Sequence, residues 1–525
     1  MPARPLFMSR KRSNNRWEEG TIKLIGRSSR LSLLQIDIVK RKIQAEFPDI
    51  KVEVIARNSK GDGLKDIPLH TVEGSDFFTQ DIFDALATGE ADIAVHSLKD
   101  MSSEHFFGEN KFAVVDRDDT RDVAIFNQDI EEKIKNGEKI IIGTCSPRRE
   151  EMATTFLKKA LPQLNVEIRI ETRSIRGNVE TRLKKLNTGE YDATILATAG
   201  LNRLLRSDED TLPIKELLAD KKLMLLPLIE CVPAPCQGAI VAECHFSNAK
   251  AIEVLKRINN GAWYADCSAE KKEAIKYGAG CIQKFGVTTL ATKNGNYLYA
   301  AGKDAEGTEF VKWDPLPDLT INGPLFSSTE VMKGFFDYEW GNKEVRIEKP
   351  VVFVANYKAI QGMAEVKNLS NKTIIASGTK TWLELSKKGY WITASADALG
   401  FEFLLSSLGM RLLNMKVEDI TIVTHESAAG RWRSKGYDAV GNYKLVPTNE
   451  KTIQQSITTA EAIFWTSFSQ YEFYGKYARK DAQHLCVGGE TAELLKQAGI
   501  TPVLFPTIKA FESWKKYFIQ SRSVV

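Results

Sequence analysis

Lys99 and Asp100 set a base beside an acid just past the apolar run Asp92 to Val95. Such a run predicts a buried strand, and α/β folds collect ligands beyond the carboxyl ends of their strands. A carboxylate there can hold N–H donors and stabilise a developing cation. Far along the chain, Tyr277-Gly278-Ala279-Gly280-Cys281 offers a thiol beside glycines that let a bulky adduct come close. Thiolate is the one strong carbon nucleophile among the side chains. Between these segments lie Arg148 and Arg149, in Gly143-Thr144-Cys145-Ser146-Pro147-Arg148-Arg149, then Arg173, Arg176 and Arg182 around Gly177-Asn178-Val179, and Arg203 beyond the run ending at Ala197. Upstream, Arg27 sits in Gly26-Arg27-Ser28-Ser29, a strand-to-helix turn whose backbone N–H groups and helix dipole favour an anion. Guanidinium forks pair with planar carboxylates better than lysines do. Together these arginines would line a cleft for a ligand with many carboxylates, so the combination points to chemistry on a polyanion held by a covalent tether.

Each feature also has a plainer reading. Ser28 or Ser29 can simply cap a helix, and the arginines can form a solvated basic face. Asp100 can pair with Lys99 at the surface, and Cys281 can be one more buried structural thiol. His96 reads as a packed or hydrogen-bonded histidine rather than a general base.

The elements that must position these residues follow from length and periodicity. A chain of 525 residues is expected to form three or four domains of roughly 100 to 200 residues each. Hydrophobic residues make up 43% and charged residues 27%, a globular composition without extended disorder. The net charge of +4, with signs interspersed, argues against a general nucleic-acid surface. The seven cysteines, Cys145, Cys231, Cys236, Cys244, Cys267, Cys281 and Cys486, form no CxxC pair or compact cluster, which argues against a disulfide framework or a zinc site. A reducing cytosol fits this cysteine pattern best, so a cytoplasmic protein is expected, and no apolar run approaches the roughly 20 residues of a membrane span. The basic stretch before Glu18 reads as a disordered tail, with a transit peptide as the alternative.

Through the first 240 residues, apolar runs alternate with helical patterns: Ile22 to Ile25, then Leu34, Ile38, Val39 and Ile43, then Val52 to Ala56. This βαβ rhythm predicts mainly parallel sheets covered by helices. Residues 249 to 276 read as helical, and Phe285 to Leu298 as strands broken at Asn294-Gly295. Pro315, Pro317, Gly323 and Pro324 mark a junction between about 312 and 346. Beyond it, Phe353-Val354-Ala355-Asn356 with Ile375 to Thr381, and Phe464-Trp465-Thr466-Ser467 with Cys486 to Ala492, read as a duplicated α/β unit.

Over residues 21 to 338 the chain resembles hydroxymethylbilane synthase, also called porphobilinogen deaminase. The likeness rests on Gly26-Arg27-Ser28-Ser29 with Gln35, AVHSLKD ending at Asp100, Asp119-Thr120-Arg121-Asp122, GTCSPRR at 143 to 149, RGNVETR at 176 to 182, Ala199 to Arg203, Gln237-Gly238-Ala239, and Ala279-Gly280-Cys281. It implies two lobes similar to periplasmic binding proteins, residues 21–117 with 220–243 and residues 118–219, and a small α+β domain, 244–338, that carries the cofactor. It implies dipyrromethane attached to Cys281, porphobilinogen as substrate and hydroxymethylbilane as product. Asp100 would assist loss of ammonia, with Lys99 beside it. Ser97, Lys99, Asp100, Thr144, Ser146, Arg148 and Arg149 would hold the cofactor, and Arg27, Ser29, Gln35, Arg149, Arg176, Arg182 and Arg203 the substrate. Three departures stand out: the family commonly has lysines where Thr71 and Ser75 fall, a proline-containing continuation at Met101-Ser102, and glycine at Cys236.

Residues 346 to 525 resemble uroporphyrinogen-III synthase, on Trp465-Thr466-Ser467, Val487 to Ala492, and Gly436-Tyr437 leading to Tyr443; no opening strand is recognised before Val351. That likeness implies Tyr443 as an acid aiding hydroxyl loss and carboxylate binding by backbone N–H groups near Ser467 and Thr491. The whole is thus expected to be a multidomain α/β enzyme, monomeric, free of metal, and without nucleic-acid or membrane partners. Two alternatives remain: an active deaminase with an inert C-terminal module, and a non-catalytic two-lobed polyanion-binding protein.

Overall fold

The computed structural model describes residues 20–57, 80–164, 166–206, 211–278, 283–330, 334–341, 347–361, 369 and 371–522. The basic tail to residue 19, the stretch 58–79 with Thr71 and Ser75, and Cys281 lie outside the described residues.

Two five-stranded sheets share one plan. The first runs Lys51–Arg57, Thr21–Arg27, Ile93–Ser97, Ala239–Cys244, Lys111–Arg117; the second runs Ile170–Arg173, Ile140–Gly143, Ala193–Ala197, Asp122–Phe126, Lys222–Leu225. In each, the first three strands are parallel and the fourth is antiparallel to both its neighbours. The sheets are therefore mixed, not mainly parallel. The chain leaves the first sheet after Arg117, enters the second at Asp122, and returns to the first at Ala239. Residues 222–225, expected in the first lobe, instead form an edge of the second sheet, because Val123 to Phe126 offer them an open antiparallel edge. Each sheet builds its own apolar core.

Helix Ala249–Ile258 packs on the first sheet through Ala251, Val254, Leu255 and Ile258, and helix Gly261–Ile275 packs on a meander of Lys284–Thr292, Gly295–Lys303 and Glu309–Asp314. Asn260 separates the helices and caps the second, its side-chain oxygen accepting from the Ala262 and Trp263 amides at 3.1 Å.

The C-terminal region holds two all-parallel sheets. One runs Ile392–Ser395, Thr373–Ala376, Val351–Val354, Ile420–Thr424, Ala439–Gly441, and the other Leu325–Ser327, Ala462–Trp465, Gln483–Val487, Val503–Phe505. An antiparallel ladder of Phe336–Trp340 with Tyr443–Pro447 links them. No opening strand for this region was recognised before Val351, yet Leu325–Ser327 joins its second sheet beside Ala462–Trp465. Leu325–Ser327 was hidden by its three-residue length and by the prolines before it, which read as a junction.

The C-terminal region shares a core with the second sheet. Phe126, Ile142, Phe156 and Leu157 pack in one cluster with Val352, Trp382, Leu385 and Tyr390. The indole N–H of Trp382 donates to the Ala160 carbonyl at 3.0 Å, and that of Trp391 to the Leu223 carbonyl at 3.1 Å. Truncating a tryptophan buried like Trp382 costs about 3–5 kcal/mol, so this docking is a structural seam.

Candidate active site

Strand Ile93–Ser97 buries Ile93, Ala94 and Val95 and ends in a single helical turn, Leu98–Asp100. Leu98, fully buried, anchors that turn. Lys99 is then left half-buried and Asp100 exposed. His96 points the other way: its ring nitrogen lies 3.2 Å from the buried Glu243 carboxylate, which also meets His105 at 2.6 Å. Burial alone would raise Glu243, but hydrogen bonds from His105 and His96 hold it down to about 2. His96 is a packed histidine beside a buried carboxylate.

On the second sheet, strand Ile140–Gly143 runs into Thr144, whose amide donates to the Arg173 carbonyl at 2.9 Å. Thr144 Oγ1 accepts from the Ser146 amide, and Ser146 Oγ from the Arg149 amide at 3.5 Å. Pro147 takes the first helical position, and Arg149–Ala153 follows as a widened π-turn, a feature frequent at functional sites.

Arg148 and Arg149 converge on one fully buried carboxylate. Asp122 Oδ2 accepts from Arg148 at 2.7 Å, and Oδ1 accepts from Arg149 at 2.8 Å and from the Gln237 amide at 2.9 Å. Their other terminal nitrogens reach the carbonyls of Val232 (2.7 Å) and Ile195 (3.0 Å). Burial would raise Asp122, but the two guanidinium groups drive it far below the usual carboxylate range. Arg149 Nε is left buried with no hydrogen-bond partner among the described residues, so that donor suits an anion the protein itself does not supply.

Electrostatics join the ends of the two sheets. Burial pushes the Lys99 ammonium down; Asp100 opposes this, and Arg149 adds to it. Burial and then Arg149 lower Arg182, while Cys145 and Asp100 raise it. Lys99 and Asp100 from one lobe therefore feel Arg149 and Arg182 from the other. Arg182 Nε donates to the Gly177 carbonyl at 2.9 Å, and Arg176 lies half-buried in the same loop. Arg173 is exposed and paired with Glu171 at 2.7 Å. At the far end, Arg27 closes strand Thr21–Arg27, Gln35 is buried, and Ser29 caps helix Arg30–Glu46 by accepting from the Ser32 amide at 3.4 Å. Arg30 reaches Glu180 of the second lobe at 2.7 Å.

Arg203 lies deeper than the other arginines of the expected set. It is buried, and its terminal nitrogen binds Asp116 at 2.9 Å and the Gly238 carbonyl at 2.5 Å. These contacts, both from one terminal nitrogen, hold it between the two crossing segments, and its Nε is buried without a hydrogen-bond partner among the described residues.

In the C-terminal region, Tyr443 is buried at the start of its ladder strand, 5.8 Å from the His425 ring and 6.0 Å from that of Tyr338. Burial pushes its phenol well above the usual range. Lys358 lies over the Tyr338 ring at 3.2 Å, and burial, then Lys380, lowers it to about 8. The expected role of amides near Ser467 is corrected: the Gln470 side-chain oxygen accepts from the Thr466 and Ser467 amides at 3.0 and 3.3 Å, closing a capping box. Thr491 lies in the first turn of helix Glu490–Gln497, where Glu490 pairs with Arg431 (3.2 Å) and Glu493 with Lys435 (3.5 Å).

Sequence reasoning assigned no role to Asp122, Gln237 or Glu243. For Asp122 a signal existed, since adjacent arginines entering an interior need a counter-charge and an acid opens the neighbouring strand.

A family model described as porphobilinogen deaminase, dipyromethane cofactor binding domain, matches residues 22–253. The porphobilinogen deaminase of Trichlorobacter lovleyi is 34% identical over 276 residues, 53% of this chain and 80% of that protein. The probable porphobilinogen deaminase of Pyrobaculum islandicum is 32% identical over 291 residues, 55% of this chain and 89% of that protein. The porphobilinogen deaminase of a Geobacter species is 35% identical over 266 residues, 50% of this chain and 76% of that protein.

Proposed function

The chain belongs to the porphobilinogen deaminase family, and from that premise we propose that it joins four porphobilinogen molecules into hydroxymethylbilane on a dipyrromethane held by Cys281. The cluster of Lys99, Arg148, Arg149 and Arg182, with Asp122 and Asp100 as counter-charges among the described residues, fits a group rich in carboxylates. Ser97, Lys99, Thr144, Ser146, Arg148 and Arg149 would hold the dipyrromethane. When bound, it supplies the free α-carbon to which pyrrole units add. Asp100 faces the substrate: as the amine leaves as ammonia, positive charge spreads onto the pyrrole ring, and the carboxylate takes the ring N–H and stabilises that charge. Arg27, Ser29, Gln35, Arg176 and Arg182 orient the acetate and propionate groups. The exposed Asp100 carboxylate opposite Arg149 and Arg182 is the observation that carries this reading. Turnover of porphobilinogen to hydroxymethylbilane by the purified chain, lost in Asp100→Ala, tests it.

We further propose that the C-terminal region cyclises the product as a uroporphyrinogen-III synthase. Its support is a pair of parallel sheets joined by a two-strand ladder, with Tyr443 buried where that ladder begins. A nearby second site would shorten the free lifetime of hydroxymethylbilane, which closes spontaneously to the wrong isomer. A second reading, an inert C-terminal module, is favoured by the Thr466 and Ser467 amides already being satisfied by Gln470. Incubation with porphobilinogen separates them. Uroporphyrinogen III is expected, with Tyr443→Phe shifting product toward isomer I at an unchanged deamination rate; isomer I alone from the unaltered chain would leave only the second reading.

A further inference from the structure

The chain crosses between the two deaminase sheets at 118–121 and returns before Ala239, so any change in the angle between the lobes is taken up there. A segment of the C-terminal region grips this hinge. Arg121, buried, donates to Asp119 at 2.8 Å and to Ser407 Oγ at 2.6 Å, and meets Asp397 at 3.3 Å. Ser407 donates in turn to Asp119, and the Phe403 ring lies 5.5 Å from the Arg121 guanidinium. Asp118 accepts from the Asn202 amide at 2.9 and 2.8 Å, and the Asn202 oxygen accepts from the Arg411 amide at 3.0 Å. The returning segment is tied in as well, since the Asp118 amide donates to the Gly238 carbonyl at 3.1 Å.

The gripping segment is built to stay put. Helix Phe401–Leu408 lies between Asp397 and Arg411. Leu399 and Phe403 pack with Leu228, Ile229 and Val232 of the returning crossing, and Leu412 packs on the core of the second sheet. Asp397 and Ala398 both adopt left-handed backbone, φ 53° and 59°, a conformation that persists outside glycine only where surroundings hold it.

We propose that the C-terminal module has a function separate from any cyclisation: through residues 397–411 it clamps the deaminase hinge and sets the opening of the two lobes, so that chain growth and the state of the C-terminal module are coupled. Opening the lobes must either move helix Phe401–Leu408 with the hinge or break the Arg121 contacts. By reciprocity, whatever shifts that helix shifts the lobe angle.

The test uses the full chain with Ser407→Ala and Asp397→Asn together. Asparagine tolerates the left-handed backbone, and both changes nearly keep volume. Hydrogen exchange read by mass spectrometry is expected to be about tenfold faster in peptides covering 116–122 and 236–239, the scale of a lost charged hydrogen bond, with strands Thr373–Ala376 and Ala462–Trp465 unchanged. Given porphobilinogen, the distribution of enzyme-bound chain lengths is expected to shift about fivefold or more. If exchange also rises in the C-terminal strands, Ser407→Ala alone is read instead, with about threefold faster hinge exchange expected. Unchanged hinge exchange overturns the clamp; faster exchange with an unchanged chain-length distribution overturns the coupling. The second readout rests on the deaminase reading, whereas the first needs no turnover, so a chain inactive on porphobilinogen fails that reading and leaves the clamp separately measurable.

Discussion

Asp122→Asn is the substitution whose cost follows most directly from the geometry. The carboxylate is fully buried and takes hydrogen bonds of 2.7, 2.8 and 2.9 Å from Arg148, Arg149 and Gln237. The amide is nearly isosteric but neutral and has one acceptor oxygen. Two buried guanidinium groups would then share no counter-charge, and breaking a buried pair in this way costs about 3–5 kcal/mol. For a unit of about 100 residues, each kcal/mol lowers the midpoint by roughly 4–8 °C, so the transition containing the second sheet is expected to fall by roughly 12–40 °C. Scanning calorimetry on the full chain, with hydrogen exchange at Asp122–Phe126 and Ala193–Ala197 to identify the transition, measures it. The pH dependence has a defined sign. A carboxyl depressed in the folded state stabilises above its unfolded value near 3.9 and loses that contribution only as pH falls below it. The gap between Asp122→Asn and the unaltered chain should therefore be constant from pH 5 to pH 8, within the usual working range, and narrow in acid. A midpoint drop under about 2 °C, or a gap that widens in acid, would refute the reasoning.

Two further outcomes follow. Asp100 is exposed, so Asp100→Ala is expected to lower turnover by about 10²-fold or more while moving stability by no more than about 0.5 kcal/mol, read by kinetics beside thermal melts; a fall in both would make Asp100 a structural residue. Glu243, lowered from 4.5 to about 2, gives the first lobe about 3 kcal/mol that is present above pH 4.5 and lost as pH falls toward 2. Urea titrations should show Glu243→Gln with a weaker loss between pH 5 and pH 3, and parallel curves would contradict the assignment.

The strands and the polar turns at their ends were partly legible in the sequence. Ile22 to Ile25, Asp92 to Val95 and Ala193 to Ala197 are short apolar runs at strand ends that carry polar turns, and period and turn chemistry suffice to find them. Lys99, Asp100, Thr144, Ser146 and Arg149 were legible because each lies just beyond such a strand, whereas Arg182 sits in helix Val179–Asn187. What the sequence hid is set by non-local pairing. Lys222–Leu225 joins the second sheet through an edge offered by residues a hundred positions earlier, and Leu325–Ser327 pairs with Ala462–Trp465 across more than a hundred residues. Arg203 looks like its cleft-facing neighbours in sequence, yet Asp116 captures it. Cys236 stands where the family commonly has glycine, and its left-handed φ of 60° supplies the reason. The Arg121 clamp was invisible for the same cause, since its partners lie in a different module.

The central claim is a pyrrole primer tethered by sulfur in a cleft that binds carboxylates. Intact-mass spectrometry of the purified chain beside Cys281→Ser tests it most directly. The unaltered chain should be heavier than its sequence by two porphobilinogen units less two ammonia, and Cys281→Ser should carry its bare mass and fail to turn over. An active preparation of the unaltered chain at bare mass, or the same adduct surviving in Cys281→Ser, would contradict the account.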